Sequence, residues 1–225
     1  MVDLHIKPVI TARDNYYWLL MALMILFFCS ALSEQLGAHD LRQLMGVMLT
    51  GVILISVWSV EHRRVSFLPS GAITALLVAI MAGEYFFQHY NLALLQLVSL
   101  LLFTVLSIVI SCRQVLFCGH VDANNIVGAI CIYLLLGLAW ALAYLLVEYF
   151  FPGSVPGLEG EDWRKNMQKS VYFSFVSLTT MGYGDISPVQ PLARYLCFMQ
   201  AVTGQFYIAI LVASLIGVRM AGRQH

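Results

Sequence analysis

The residues of this chain that could do chemistry lie together in one short stretch, Thr180–Asp185, which reads T-M-G-Y-G-D. Successive backbone carbonyls can replace the water around a cation when they turn toward one axis, and this requires backbone handedness that alternates along the chain. Gly182 and Gly184 have the spacing to provide it, because glycine takes positive φ at little steric cost. Thr180 adds a hydroxyl oxygen at one end of the stack. The stretch therefore predicts a cation-coordinating loop.

The elements that must position this loop are membrane helices. Of the 225 residues, 60% are hydrophobic and 11% are charged, and that charged fraction is about half of what a soluble domain carries. The formal net charge is zero, so no basic surface for nucleic acid is indicated. Six apolar runs reach the ~17–25 residues that a helix needs to cross a bilayer. These runs are Tyr16–Leu32, Leu44–Val60, Phe67–Phe87, Leu92–Ile110, Ile126–Phe151 and Leu192–Val218.

A seventh apolar segment, Val171–Thr180, precedes the loop and is too short to span a bilayer. Backbone that enters the membrane without crossing it is tolerated only where protein buries it or where it lines a water-filled cavity. We therefore expect a re-entrant pore helix over Gln168–Thr179, between the fifth and sixth spans. The negative end of its dipole would favour a cation in a central cavity below the loop.

A T-x-G-Y-G segment between two membrane helices resembles the selectivity filter of potassium channels. Residues Asn125–Val218 resemble the pore domain of the two-helix channel superfamily, and the whole chain resembles a bacterial six-transmembrane potassium channel. The resemblance implies an all-α integral membrane protein with K⁺ as the permeant ion and no cofactor. It implies that the carbonyls of Thr180, Met181, Gly182 and Tyr183 coordinate K⁺ together with the Thr180 hydroxyl. Gly184 would form the outer rim. One chain carries a single filter copy, so a homotetramer in the lipid bilayer is expected.

The chain is predicted to divide at a polar joint, residues 112–125. A cytoplasmic segment, residues 1–15, precedes a four-helix transmembrane domain over residues 16–111; the pore domain covers 126–218, and a short tail covers 219–225. The four-helix domain occupies the place of a voltage sensor, but Leu92–Ile110 contains no Lys or Arg. Voltage sensing needs several such charges, so steep voltage gating is not expected. A packing collar and a sensor of ligand, lipid or pH both fit these four helices.

Basic residues set the predicted orientation. If both termini are cytoplasmic, the inner segments carry more Lys and Arg than the short outer loops, in agreement with the positive-inside rule. The filter then faces outward. The sequence contains no N-x-S/T sequon, which is consistent with a bacterial protein, and the predicted location is the bacterial inner membrane.

Several positions depart from the better-known relatives. Val176 lies where bacterial relatives carry a Glu that pairs with the Asp after the filter. Tyr172 and Phe173 lie where many relatives have two Trp residues, and Met181 lies where most have Val or Ile. We therefore expect a filter with different side-chain support.

Four residues are predicted to support the filter: Thr179, Asp185, Ser177 and Tyr172. The Tyr172 hydroxyl could reach Asp185. The Ser177 hydroxyl could hydrogen-bond the Tyr183 hydroxyl of a neighbouring subunit.

The sixth span contains two further candidate features. Gly204 lies close to the position of a hinge glycine in relatives, and close helix packing is the alternative explanation for it. Nearer the cytoplasmic end, a hydrophobic gate that closes by dewetting could be formed by Val212, Leu215 or Ile216.

Three functions fit the sequence: a K⁺-selective channel, a non-selective cation channel of the same architecture, and a component of a K⁺ transporter. The second often lacks the filter Tyr, which is present here as Tyr183. The third carries four filter repeats in one long chain. An enzyme is not expected, because no nucleophile, base and orienting group cluster outside the spans.

Overall fold

A computed structural model of the chain describes residues 15–35, 93–116, 123–158 and 163–221. These residues form five helices and no strand, in agreement with the predicted helical class. The helices are α1 (Asn15–Gln35), α2 (Ala93–Leu116), α3 (Ala123–Phe150), α4 (Trp163–Leu178) and α5 (Pro191–Ala221). The second and third predicted spans, Leu44–Val60 and Phe67–Phe87, lie outside the described residues.

Three of the described helices are long and apolar enough to cross a membrane, over Ala93–Val115, Asn124–Phe150 and Pro191–Ser214. The first predicted span lies in α1, where the apolar stretch Tyr16–Leu32 is shorter. These helices are those of a membrane protein, and the count of six spans stays a prediction.

Helix α3 is the centre of the described fold, because α1, α2, α4 and α5 all pack against it. Its sequence is apolar on every side, as expected for a helix surrounded by others. The side chains buried completely between α3 and its neighbours include Leu19, Leu23, Leu97, Ile132 and Leu142. Four described helices therefore pack around α3, while side chains such as Ile126 and Ile130 stay exposed.

Hydrogen bonds between the helices give their directions. The Tyr16 hydroxyl, at the start of α1, donates to Gln114 Oε1 near the end of α2, over 2.8 Å. The Tyr207 hydroxyl of α5 donates to the carbonyl of Ala129, near the start of α3, over 2.7 Å. Cys131 Sγ, also near the start of α3, donates to the Tyr16 carbonyl over 3.5 Å, and Tyr144, near the end of α3, donates to Gln200 in the first third of α5. Helices α1 and α3 therefore run in one direction, and α2 and α5 run in the other. The end of α1 and the start of α2 therefore lie at the same end of the bundle.

The predicted start of the pore helix, Gln168, was wrong, because α4 begins at Trp163 and ends at Leu178. The first turn and a half of α4 contains Arg, Lys and Asn, a composition that is also typical of a loop. In the structure, buried side chains nevertheless recur at helical spacing, with the charged ones between them. These buried residues are Trp163, Asn166, Met167, Ser170, Phe173, Ser174, Ser177 and Leu178.

Helices extend into the predicted joint, residues 112–125, from both sides. Helix α2 continues through Leu116, and α3 begins at Ala123. The polar side chain of Gln114 can lie in α2 near its end, because it accepts a hydrogen bond from the Tyr16 hydroxyl. At the other boundary, α5 begins with Pro191, whose missing N–H costs nothing in the first turn of a helix.

The loop after α3 is fastened by a buried carboxylate. Glu148 is 6% exposed, and its two oxygens accept hydrogen bonds from the backbone N–H of Gly153 (2.6 Å) and of Val155 (3.0 Å). The Ser154 carbonyl accepts a hydrogen bond from the N–H of Val189, beyond the filter segment, over 2.9 Å. The loop is therefore connected both to α3 and to the chain that follows the filter.

Replacing Glu148 with Ala should loosen this loop, because two backbone N–H groups lose their acceptors. We expect a local loss of about 1–3 kcal/mol, measured as faster amide exchange at Gly153 and Val155. Glu148→Gln is the matched control, since it keeps one acceptor oxygen, and its effect should be smaller. Unchanged exchange in Glu148→Ala would contradict the assigned role.

Candidate functional site

The backbone between α4 and α5 is left-handed at alternate residues. The φ angle is 58° at Thr180, 58° at Gly182 and 81° at Gly184, and it is not positive at Met181 or Tyr183. The alternation expected at the two glycines is present. Thr180 was not expected to share it, since a left-handed β-branched residue is uncommon and costs about 1–3 kcal/mol.

The hydrogen bonds at the end of α4 explain the left-handed Thr180. Its N–H donates to the Ser177 carbonyl (3.0 Å), and the Met181 N–H donates to the Val176 carbonyl (2.9 Å). This pairing is the Schellman motif that ends many helices, and Thr180 takes the left-handed position that is usually glycine. The Gly182 N–H also donates to Val176, over 3.3 Å. The strand Thr180–Gly184, which is the predicted filter, is therefore attached to α4 by its own N–H groups.

The carbonyl oxygens of this strand have no such partners. Within the part of the chain that the structure describes, no carbonyl of Thr180, Met181, Gly182 or Tyr183 accepts a hydrogen bond. Four unused oxygens on a backbone of alternating handedness are suited to coordinating a cation that has lost its water.

Helix α5 approaches the base of the strand closely. Gly204 is buried, and a Cβ placed on it would overlap the carbonyl oxygen of Leu178, the last residue of α4. This contact favours close packing as the reason for the glycine. A hinge at Gly204 stays a prediction.

The residue that follows Gly204 contacts the filter, and sequence reasoning missed it. Gln205 Nε2 donates to Thr180 Oγ1 over 3.3 Å. A polar side chain beside a glycine on an apolar helix was the available signal.

At the far end of the strand, the predicted contact between Tyr172 and Asp185 is present. The Tyr172 hydroxyl donates to Asp185 Oδ2 over 2.7 Å, and the Tyr172 ring stacks on the ring of Tyr183 with centroids 6.5 Å apart. Both partners of the hydrogen bond are exposed. The bond from Tyr172 lowers the pKa of Asp185 below its ordinary value and raises the pKa of Tyr172. Asp185 is therefore charged at neutral pH.

The other predicted support residues have partners within the chain. Thr179 Oγ1, directly after α4, donates back to the Phe175 carbonyl in the last turn of that helix over 2.7 Å. Ser177 Oγ accepts a long hydrogen bond, 3.6 Å, from Cys197 Sγ. A bond from Ser177 to Tyr183 of a neighbouring subunit stays a prediction.

Of the predicted gate residues, Val212 is the one whose side chain the structure describes. Val212 is 49% exposed on α5. The side chains of Leu215 and Ile216 lie outside the described residues. A gate at these positions stays a prediction.

Sequence reasoning also missed the polar side chains that fasten α4 to α3. Ser170 Oγ donates to the Ala141 carbonyl over 2.7 Å, and Ser174 Oγ donates to the Gly137 carbonyl over 2.6 Å. The available signal was the recurrence of Ser170, Ser174 and Ser177 at helical spacing in a segment otherwise rich in aromatic residues.

Replacing Gly204 with Ala should destabilise the protein, although alanine is the better helix former. The added Cβ meets backbone, which cannot move without displacing the end of α4, and overpacking of this kind costs about 1–3 kcal/mol. The measurement is heat-induced unfolding in detergent. Gly128→Ala is the control, because its Cβ would meet only the side chains of Val115 and Tyr16. A Gly204→Ala protein as stable as the wild type would refute the close-packing explanation.

The Tyr172 hydrogen bond should keep Asp185 ionised well into the acid range. Because the folded-state pKa of Asp185 is lowered, the carboxylate stabilises the folded protein fully above its ordinary pKa of 3.8. This stabilisation is lost as the pH falls through the folded-state pKa. We expect the Asp185 carboxyl signal in NMR to titrate below 3.8, and to titrate at higher pH in Tyr172→Phe. The same midpoint in both proteins would show that the bond has no effect.

A comparison with protein families finds a similarity in this same region. Residues 130–220 match a family model described as "Ion channel", a range that covers less than half of the chain. The two pore potassium channel c of Oryza sativa subsp. japonica is 28% identical over 86 residues, which make up 37% of this chain and 19% of that protein. The chain thus spans about a fifth of the length of this curated relative. No solved structure matches. Both matches support an ion channel and not an enzyme, in agreement with the sequence analysis.

Proposed function

We propose that the chain is one subunit of a homotetrameric channel that passes K⁺ selectively and passively across the plasma membrane. The observation that carries this proposal is the backbone of Thr180–Gly184. Its handedness alternates and its carbonyls are unused, and it lies between two helices long enough to cross a membrane. Rings of backbone carbonyls are the ligands that replace the hydration shell of K⁺ in selective pores.

In this proposal each subunit supplies one filter strand. The carbonyls of Thr180, Met181, Gly182 and Tyr183 coordinate K⁺, the Thr180 hydroxyl adds an oxygen at the inner end, and Gly184 forms the outer rim. The side chains of Met181 and Tyr183 are 58% and 66% exposed in the single chain. Large apolar side chains so exposed are expected to pack against neighbouring subunits.

The surface of α5 supports the assembly of several copies. In the most apolar 18-residue stretch of α5, 11% of the residues are buried, whereas 56% are buried in the corresponding stretch of α3. The large apolar side chains that α5 leaves uncovered include Tyr195, Phe198, Phe206 and Ile210. Closed rotational symmetry would cover this face, and a filter of four identical strands requires four subunits.

The proposed topology has six spans and both termini in the cytoplasm of a bacterium. Exposed aromatic side chains lie at the two ends of the described helices: Tyr17 and Trp18 at the start of α1, and Tyr149 and Phe150 at the end of α3. Aromatic residues are enriched at both membrane interfaces, so these positions are consistent with the two surfaces of the bilayer. Helix α2, which contains the fourth predicted span, carries one basic residue, Arg113, in its last turn. We therefore infer weak voltage dependence.

The decisive experiment is cation flux into liposomes that contain the purified protein, with K⁺ and Na⁺ compared. We expect K⁺ flux that Ba²⁺ blocks and Na⁺ flux that is far smaller. Gly184→Ala should abolish selective flux, because a side chain at φ 81° strains the filter backbone. Gly153→Ala is the matched control. Its φ is 78°, its surroundings are equally empty, and it lies in the loop after α3.

The possible outcomes separate the candidate functions. Equal K⁺ and Na⁺ flux in the wild type would indicate a non-selective cation channel. Flux that requires a proton or sodium gradient would indicate a transporter. An equal loss of flux in Gly153→Ala and Gly184→Ala would show that backbone strain in general, and not the filter, was responsible.

A further inference from the structure

Gln200 is a polar residue buried completely among three helices. It lies on α5, and its side chain has no exposed surface. Its partners lie on α3 and α4. A polar side chain in such a place is costly unless every hydrogen-bonding group is used.

Gln200 belongs to a chain of hydrogen bonds that starts at Tyr144 on α3 and returns to Gly137 on α3, and this chain is called the circuit below. The Tyr144 hydroxyl of α3 donates to Gln200 Oε1 over 2.6 Å. Gln200 Nε2 donates to the carbonyl and to the hydroxyl of Ser174 on α4, over 2.8 Å and 2.7 Å. The Ser174 hydroxyl donates in turn to the Gly137 carbonyl of α3, over 2.6 Å. Each N–H and O–H in the circuit has one acceptor, so the circuit leaves no side-chain donor unpaired.

The circuit lies next to the end of α4 to which the predicted filter strand is attached. Ser174 is two residues before Val176, whose carbonyl holds the N–H groups of Met181 and Gly182. Gln200 and Gly204 lie four residues apart on α5, and their contacts on α4, Ser174 and Leu178, are also four residues apart. The two helices therefore meet in register, with hydrogen bonds at one point and close backbone contact at the other.

The circuit contains no charge. Tyr172 and Asp185 hold the outer end of the strand on an exposed surface, whereas Gln200 acts in the buried interior, where an unpaired charge would be very unfavourable. Tyr144 also packs against Phe173, with ring centroids 4.8 Å apart. The end of α4 is thus held by neutral groups on its buried side.

We propose that Gln200 is a positioning residue of the filter, and that its amide sets where the end of α4, and with it Thr180–Gly184, lies relative to α3 and α5. This inference deepens the proposed function and rests on it for its consequence in ion selectivity. The geometric part rests on the hydrogen bonds alone. Gln200 acts through Ser174 and does not contact the ion.

The test is a double-mutant cycle on the full chain in lipid nanodiscs, with Gln200→Leu, Tyr144→Phe and the double variant. Gln200→Leu removes the Gln200 acceptor of the Tyr144 hydroxyl and leaves the weaker Cys197 thiol as its partner, so it should lower the melting temperature. Adding Tyr144→Phe removes this poorly paired hydroxyl and should restore most of the stability. The double variant keeps the fold measurable while the link from Gln200 to Ser174 is absent.

The decisive readout is local to the filter. In the double variant we expect amide exchange at Met181 and Gly182 to be about tenfold faster, the order expected for the loss of two buried hydrogen bonds. We also expect the ratio of K⁺ to Na⁺ flux to fall by a similar factor. Thr203→Val is the matched control, because the Thr203 hydroxyl donates to Met199 within α5 over 2.7 Å. It should change neither readout.

The outcomes distinguish this inference from the proposed function. Wild-type exchange at Met181 and Gly182 in a well-folded double variant would overturn the positioning role. Faster exchange together with an unchanged flux ratio would overturn its consequence for selectivity. Equal K⁺ and Na⁺ flux in the wild type would refute the proposed function, and the exchange measurement would still decide the role of Gln200.

Discussion

The hydrogen bonds that end α4 are the constraint on which the filter depends. A helix leaves its last carbonyls without donors from its own turns, and at membrane depth such groups must be satisfied by protein. Here the following residues turn back and supply their N–H groups to Val176 and Ser177. The strand therefore cannot move away from α4 without exposing both sets of groups. Its donors are used in this attachment, and in the described part of the chain its carbonyls accept no hydrogen bond.

This attachment requires a strained residue. Thr180 is held in a left-handed conformation that a β-branched side chain disfavours. The surrounding contacts hold it there, because Gln205 donates to its hydroxyl and Gly204 lets α5 lie directly against Leu178. Threonine at this position combines the turn that ends the helix with a hydroxyl at the base of the strand, which glycine could not supply.

Support around the strand is divided by environment. At the exposed end, the Tyr172 hydroxyl bonds to the charged Asp185, where water reduces the cost of the charge. In the buried interior, Gln200 and its partners use neutral groups only. Where better-known relatives pair a Glu with the Asp after the filter, this chain has Val176. Within the single chain, hydrogen bonds nevertheless support α4 both on its exposed side and on its buried side.

The sequence by itself determined the features that depend on local chemistry. Gly182 and Gly184 implied alternating handedness because of steric limits on φ, and the long apolar runs implied helices that cross a membrane. The reach of Tyr172 to Asp185 was also predictable, because both residues flank the filter. Only the tertiary structure decided where α4 begins, that Thr180 is left-handed, that Gly204 lies directly against Leu178 and that Gln200 links three helices. These features depend on contacts between residues far apart in the chain, such as Tyr144 and Gln200. A pattern of neighbouring residues contains no information on which distant groups will satisfy a buried hydrogen bond.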